Sequence, residues 1–149
     1  MEIERKFTVK ELPADLAGCP KKRIEQAYLC TAPVIRIRRS GDAYWLTYKG
    51  SGMMVREEHE HPLTWEAYLH LLPKADGNVI AKDRYLIPFG GRTIELDVFD
   101  KPFAPLVIAE VEFPTQEEAE AFVPPGWFDE DVTFDPAYQN SNLSRRKFE

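Results

Sequence analysis

Pairs of like-charged residues, two positions apart, recur along this sequence. The acidic pairs are Glu2 and Glu4, Glu58 and Glu60, Glu95 and Asp97, and Glu110 and Glu112. The basic pairs are Arg36 and Arg38, and Lys82 and Arg84; Lys6, Lys49 and Arg56 are single cations on the same pattern. Two carboxylates at this spacing suit a divalent cation, because hard ions such as Mg²⁺ and Mn²⁺ prefer oxygen ligands. Two guanidinium groups suit a polyanion such as phosphate, which they bind through paired hydrogen bonds.

Both kinds of pair in one enclosure would perform metal-assisted phosphoryl chemistry. The carboxylates would hold a metal ion together with phosphate oxygens of a substrate. The bases would neutralise the remaining oxygens while a phosphoryl group transfers. No serine or cysteine nucleophile motif, P-loop or Rossmann glycine fingerprint points to a different chemistry. The function therefore depends on whether the fold brings these pairs together.

The elements that carry the pairs are predicted to be β-strands. Prolines and glycines divide the chain into short alternating runs, which is typical of a β-rich domain. We predict eight strands, near residues 2–8, 24–30, 34–39, 43–49, 55–61, 79–88, 92–99 and 106–113. Ser40-Gly41-Asp42 and Gly90-Gly91 mark hairpin turns, so the strands around them should be antiparallel. Because side chains alternate along a strand, each charged pair shares one face.

Two helices and a short tail complete the predicted elements. One helix should begin after Thr64 as N-cap and end at Pro73. The second begins at Thr115, where Glu118 three residues later completes a capping box. The tail after Pro136 could form a short final helix.

The shared charged face can be read in two ways. On any single strand, a half-exposed antiparallel strand with polar residues outward is the simpler interpretation. However, seven of the eight strands carry ionisable groups on one side, and acids and bases are separated rather than interspersed as on a solubilising surface. Eight strands closed into a barrel would enclose a ligand-sized interior. The helices would then cover part of its apolar outer face.

Length and composition set further bounds. At 149 residues the chain should form a single domain, residues 1–149. The net charge of −6 argues against nucleic acid as a partner, because phosphate-driven binding requires a basic face. No apolar run is long enough to cross a membrane, and Cys19 and Cys30 are interpreted as a reduced pair. We therefore expect a cytoplasmic protein, and its exposed aromatic residues are compatible with a homodimer.

The order of these motifs resembles the CYTH domain, or triphosphate tunnel metalloenzyme, family. The likeness begins with E-x-E-x-K at residues 2–6 and continues through R-x-R, a strand lysine, R-x-E-x-E, K-x-R, E-L-D and E-V-E. These motifs lie at Arg36 and Arg38, Lys49, residues 56–60, Lys82 and Arg84, residues 95–97, and residues 110–112. The resemblance covers nearly the whole chain. It implies an eight-stranded antiparallel β-barrel that forms a tunnel, with the charged face inward and a few helices packed outside.

The resemblance also implies roles for the charged residues. Glu2, Glu4 and Glu112 would bind the metal that bridges a triphosphate, while Asp97 and Glu110 would support a second metal that activates water. Glu58 and Glu60 would assist in metal or water binding. The residues expected to line the phosphate track are Lys6, Arg36, Arg38, Lys49, Arg56, Lys82 and Arg84. The implied cofactor is Mg²⁺ or Mn²⁺, as two ions.

Several activities occur within this family. We expect a metal-dependent hydrolase of linear triphosphates, with inorganic tripolyphosphate as the preferred small-molecule substrate, because no separate aromatic pocket clearly reads a base. A class IV adenylate cyclase, in which the ribose 3′ hydroxyl attacks the α-phosphate, is the first alternative. Hydrolysis of thiamine or nucleoside triphosphates is another. A non-catalytic polyphosphate-binding module is disfavoured, because binding alone would need only the bases.

Overall fold

The computed structural model describes residues 1–148, and its strands form one antiparallel sheet of ten strands. They are β1 Glu2–Val9, β2 Lys21–Thr31, β3 Val34–Ser40, β4 Ala43–Lys49, β5 Val55–Arg56, β6 Glu58–Leu63, β7 Asp76–Phe89, β8 Arg92–Phe99, β9 Val107–Glu112 and β10 Phe128–Asp131. The α-helices are α1 Trp65–Leu71, α2 Gln116–Ala121 and α3 Asn140–Leu143. Short 3₁₀ helices lie at Leu16–Gly18, Leu72–Lys74 and Pro136–Tyr138.

The sheet curls into a nearly closed barrel. Its strand order is β10-β1-β9-β8-β7-β2-β3-β4-β6, and β5 pairs with β1. Only Glu57 separates β5 from β6. This bent segment therefore pairs with β4 on one side, where Lys49 is opposite Glu58, and with β1 on the other, where Glu2 is opposite Arg56. Counting β5 and β6 as one bent strand gives eight strands around the barrel, as predicted.

One strand was not predicted. β10 is four residues long and its sequence, FDED, has three acidic residues and no apolar alternation. It pairs with the second half of β1, where Phe7 is opposite Asp131. The first half of that same edge of β1 pairs with β5. β10 therefore covers strand edge that the closing segment leaves unpaired.

The predicted helices cover the outer face of the barrel. Thr64 caps α1 by accepting a hydrogen bond from the backbone of Ala67 at 3.1 Å, and Tyr68 of this helix packs on the outer side of β2 and β3. At α2, the Thr115 hydroxyl accepts from the backbone N–H of Glu118 at 3.2 Å and contacts its carboxylate at 3.1 Å. Both caps are confirmed. The short final helix predicted for the tail is α3.

Apolar side chains close one end of the barrel interior. Ile80 lies two residues before Lys82 on β7, and Ile108 lies two residues before Glu110 on β9, so both share the face of the charged residues. They cluster with Tyr28 of β2 and with Leu143 of α3, all buried. The barrel interior thus has a polar part and an apolar end.

Within residues 1–148, no helix has the length and apolar character needed to cross a membrane.

Candidate functional site

The inward face of the barrel encloses a cavity of about 250 Å³. Twelve of the fourteen predicted site residues line it: Glu2, Glu4, Lys6, Arg36, Arg38, Lys49, Arg56, Glu58, Glu60, Arg84, Glu110 and Glu112. The other lining residues are Tyr28, Val34, Glu95, Gln139, Asn140 and Ser141. The alternating charged face therefore points inward, and the solvated-surface interpretation does not apply to these strands.

Most of the carboxylates lie across the cavity from the two arginines of β3. The adjacent strands β1, β9 and β8 carry the acidic wall, which consists of Glu2, Glu4, Glu95, Glu110 and Glu112. β3, which carries Arg36 and Arg38, lies four positions from β9 in either direction around the barrel. It is therefore across the tunnel from the acids. A ligand between the walls would meet carboxylates on one side and guanidinium groups on the other.

The acidic wall concentrates negative charge. Glu4 on β1 is directly opposite Glu112 on β9, and Lys6 is directly opposite Glu110. Burial, together with the neighbouring carboxylates of Glu110 and Glu2, raises the pKa of Glu4 to about 8. The effect of burial on Glu110 is outweighed by Lys6 and Arg84, and its pKa is well below the usual range. A divalent cation at this wall would relieve the repulsion that Glu4 experiences.

Lys49 joins the acidic wall to the strand that closes the barrel. Its ammonium contacts Glu2 at 2.9 Å and Glu58 at 3.3 Å. Burial tends to raise the pKa of Glu2, but the Lys49 ammonium has the opposite and stronger effect. The pKa of Glu2 is therefore below its ordinary value. For Glu58, burial and the nearby Glu2 raise the pKa. Lys49 therefore keeps the Glu2 carboxylate of the acidic wall ionised.

The basic wall consists of Arg36 and Arg38 of β3, and within residues 1–148 its one ion pair is a 3.9 Å contact between Arg36 and Glu60. Burial and the neighbouring Arg36 and Arg84 guanidinium groups lower the pKa of Arg38 to about 9. The buried Nε atoms of Arg36 and Arg56 have no hydrogen-bond partner within residues 1–148. Unpaired buried donors carry a free-energy cost, and an anion in the cavity would remove it. These groups suit a phosphate chain.

Lys82 and Asp97 do not line the cavity. Both side chains are fully buried and form an ion pair at 2.7 Å. Asp97 also accepts two hydrogen bonds from Arg84, at 2.8 and 2.9 Å. Arg84 does line the cavity and reaches Glu95 at 3.1 Å. The buried Lys82–Asp97 pair thus holds the Arg84 guanidinium in place from outside the cavity lining.

Sequence reasoning left several lining residues out of the predicted site. Glu95 had a signal, since it is two positions from Asp97 on the inward face. Tyr28 is on β2, the one predicted strand without a charged residue on that face. It had only the weaker signal of a polar side chain at alternate spacing from Gln26.

The C-terminal segment reaches the cavity through Gln139, Asn140 and Ser141. Lys6 donates to the carbonyl of Tyr138 at 3.1 Å, and Lys82 donates to Asn140 at 3.4 Å. No periodic pattern in the tail predicts these contacts. His59, by contrast, is exposed and contacts Glu57 outside the cavity.

Comparison with known proteins identifies the family to which this tunnel belongs. The family model described as CYTH domain matches residues 1–132. The chain belongs to the CYTH domain family. The match covers every strand of the CYTH barrel, from β1 through β10, and stops before the segment that supplies Gln139 to Ser141.

Related CYTH proteins are similar over nearly their full lengths. A protein of Nitrosomonas europaea named inorganic triphosphatase is 38% identical over 149 residues, with 96% of each chain aligned. One of Acetivibrio thermocellus with the same name is 35% identical over 150 residues, covering 99% of this chain and 95% of the relative. A crystal structure of an inorganic triphosphatase superposes with a TM-score of 0.74 at 34% identity, covering 99% of this chain and 96% of that chain.

Membership of the CYTH family implies a divalent metal requirement, and the acidic wall has suitable donors. Its side chains are all carboxylates, the ligands that Mg²⁺ and Mn²⁺ prefer. Within residues 1–148, no three carboxylate, imidazole or thiolate groups already converge as ligands of one ion. Mg²⁺ is commonly held by one or two carboxylates together with substrate phosphates. The donor set therefore fits an ion that binds with a phosphate substrate.

Proposed function

We propose that this protein hydrolyses inorganic tripolyphosphate in its CYTH tunnel in a reaction that requires a divalent metal. The observation that carries the proposal is the opposition of an acidic and a basic wall across one enclosed cavity. This arrangement suits a polyanion that is bound with a cation. The names of the two similar proteins, both called inorganic triphosphatase, support the same reaction.

The basic residues would hold the phosphate chain. Arg36 and Arg38 face the acidic wall, and the unpartnered Nε of Arg36 offers a donor to a phosphate oxygen. Lys6, Lys49, Arg56 and Arg84 line the same space. Together they would fix the phosphate chain and neutralise charge that develops on its oxygens during transfer.

The carboxylates would hold the metal. Glu2, Glu4 and Glu112 would hold one divalent ion and Glu110 a second ion, with Glu58 and Glu60 assisting. Asp97, which does not line the cavity, would act indirectly by orienting Arg84. Bound Mg²⁺ or Mn²⁺ would neutralise phosphate charge and make a water molecule more acidic.

The reaction then balances as a simple hydrolysis. The oxygen of a water molecule forms a bond to the terminal phosphorus, and the bond between that phosphorus and the bridging oxygen breaks. Pyrophosphate leaves and orthophosphate is formed. The protein would contribute alignment of the terminal phosphorus with the attacking water and stabilisation of the charge on the leaving oxygen.

An assay panel tests the reaction. The protein is incubated with tripolyphosphate, ATP or thiamine triphosphate, each with Mg²⁺ or Mn²⁺, and orthophosphate, pyrophosphate and cyclic AMP are measured. We expect fastest turnover of tripolyphosphate, with equal amounts of orthophosphate and pyrophosphate. Cyclic AMP from ATP would indicate a cyclase, and tight binding without turnover under either metal would indicate a binding module. Both outcomes contradict the proposal.

Substitution of Glu4 tests the metal assignment. Glu4→Gln keeps the size of the side chain but removes a charged ligand. We expect turnover to fall at least about a hundredfold, because loss of even a residue that only orients a metal ligand costs about 10- to 100-fold. The rise in melting temperature caused by Mn²⁺ should also be reduced. The matched control is Glu57→Gln, because the exposed Glu57 side chain contacts His59 and does not line the cavity. Equal activity of the two variants would rule out Glu4 as a metal ligand.

A further inference from the structure

Gln26 is a buried neutral side chain between two residues of the tunnel wall. It lies on β2, has no exposed surface, and is directly opposite Arg38 of β3. Its Oε1 atom accepts two hydrogen bonds from Arg38, from Nε at 2.9 Å and from Nη2 at 2.6 Å. Its Nε2 atom lies 3.1 Å from the hydroxyl oxygen of Tyr28.

The chemistry of Arg38 fixes the direction of these hydrogen bonds. A guanidinium group can only donate, so it must face the amide oxygen of Gln26. The amide nitrogen, which can only donate, then faces Tyr28. The tyrosine oxygen accepts that bond, and its own proton must point elsewhere. Tyr28 lines the cavity, and within residues 1–148 no acceptor takes this proton.

The neutrality of Gln26 has a second consequence. A carboxylate at this position would form an ion pair with Arg38 and cancel its charge. The amide instead holds the guanidinium in place by two hydrogen bonds and leaves its positive charge available to an anion. Gln26 therefore affects both the charge of the basic wall and the direction of a neighbouring hydroxyl donor.

We propose that the Tyr28 hydroxyl donates a hydrogen bond to a phosphate oxygen of the substrate, and that Gln26 is the positioning residue that directs this donor and Arg38 into the tunnel. The inference rests on the proposed triphosphate function, which it deepens by adding a neutral donor to the basic wall. The acceptor it requires is an anionic oxygen, since Tyr28 approaches the space that Arg36 and Arg38 also face.

The first test removes only the donor. We expect Tyr28→Phe to raise KM for tripolyphosphate, and the Kd measured by calorimetry in metal-free buffer, by about tenfold to a hundredfold, as for a hydrogen bond to a charged group. kcat should change less. The control is Tyr44→Phe, since Tyr44 packs outside the barrel on Trp65 and Tyr68. Values for Tyr28→Phe that match Tyr44→Phe would overturn the proposal.

The second test uses the direction of the hydrogen bonds. In Gln26→Glu, both side-chain oxygens accept, so the Tyr28 hydroxyl would donate to the new carboxylate and turn away from the cavity. We expect Kd to rise by about tenfold or more. Adding Tyr28→Phe to this variant should then change Kd by less than about twofold. An equal cost of Tyr28→Phe in both backgrounds would overturn the role of Gln26.

Controls separate this inference from the proposed function. Gln116→Glu adds the same charge on exposed α2 and should leave Kd unchanged. Melting temperatures of all variants show whether the binding assays report on folded protein. If the unmodified protein neither binds nor hydrolyses tripolyphosphate, the proposed function fails. If the unmodified protein does both but the Tyr28 and Gln26 effects are additive, only this inference fails.

Discussion

Lys82 and Arg84 occupy successive inward positions of β7 but have different surroundings. Arg84 lines the cavity, whereas Lys82 has no exposed surface and contacts Asp97 and Asn140. Burial lowers the pKa of Lys82 to about 8, although Asp97 opposes this shift. These surroundings favour a structural role for Lys82, in place of the direct phosphate contact that the family resemblance implies.

Substitution of Lys82 tests this distinction. Lys82→Met keeps an unbranched side chain but leaves Asp97 buried with Arg84 alone, and removing one partner of a buried ion pair is strongly destabilising. We expect a loss of about 3 kcal/mol in the free energy of unfolding, measured with urea. Lys74→Met, at an exposed position, should cost less than about 0.5 kcal/mol. Unchanged stability with a greatly increased KM would instead place Lys82 in the phosphate track.

At the residue scale, alternation predicts the face of a side chain but not its depth. It assigns Glu95 and Asp97 to the same face of β8, and only the packed structure separates Glu95 in the cavity from Asp97 behind it. Uncharged groups are harder still to predict. Tyr28 and Gln26 become significant only through the donor and acceptor chemistry of Arg38, which lies on a neighbouring strand.

At the element scale, local signals predicted most strands and both helix caps, because alternation, turn residues and capping residues are short-range features. β10 had no such signal, since its place depends on the edge of β1, more than a hundred residues earlier. Side-chain contacts hold it there. Asp131 accepts from Arg5 at 2.9 Å, and the backbone and hydroxyl of Thr133 donate to its other oxygen at 3.0 and 2.5 Å.

The Asp131 contacts predict a pH-dependent contribution to stability. Burial opposes the shift, but hydrogen bonds from Thr133 and the ion pair with Arg5 lower the pKa of Asp131. A lowered pKa means that the contribution is present above the ordinary aspartate pKa of about 3.9 and disappears as the pH falls through the lowered value. We expect Asp131→Asn to cost about 1 kcal/mol at pH 7, because solvent screens this partly exposed group.

Urea unfolding at several pH values measures this contribution. The difference between Asp131→Asn and the unmodified protein should shrink steadily below pH 4. Asp129→Asn changes an exposed residue of the same strand and should have little effect at any pH. A difference for Asp131→Asn that stays constant down to pH 3 would show that the ionised carboxylate is not what stabilises β10.

At the scale of the whole molecule, the two ends of the chain complete the barrel. β1 forms both the closing contact with β5 and the acidic wall with β9. The C-terminal segment lines the cavity and adds Leu143 to the apolar end. Alternation alone could not show that the charged face points inward, because the same pattern suits an exposed sheet. The seven motifs resolved that ambiguity, because they follow one another along the chain in the order typical of the CYTH family, whose barrel has the charged face inward.

The attachment of the C-terminal segment to the barrel rests on a close backbone contact at Gly77. This residue has a φ of +73°, and a Cβ there would collide with the carbonyl oxygen of Ser144, which also accepts a hydrogen bond from the backbone of Asn78 at 2.6 Å. Gly90 has a similar φ of +56° but open space around it. Alanine at either position incurs backbone strain of roughly 1–2 kcal/mol. Only Gly77→Ala must also displace Ser144.

We therefore expect Gly77→Ala to lower the free energy of unfolding by about 1–3 kcal/mol more than Gly90→Ala, as overpacking does elsewhere. Limited proteolysis should then cut within the displaced segment, at bonds C-terminal to Pro136, because local opening exposes backbone that is otherwise packed. The tunnel would then lose Gln139, Asn140 and Ser141 from its lining, and KM for tripolyphosphate should change in Gly77→Ala but not in Gly90→Ala. Equal stability and equal proteolysis of the two variants would mean that the contact with Ser144 does not hold the C-terminal segment on the barrel.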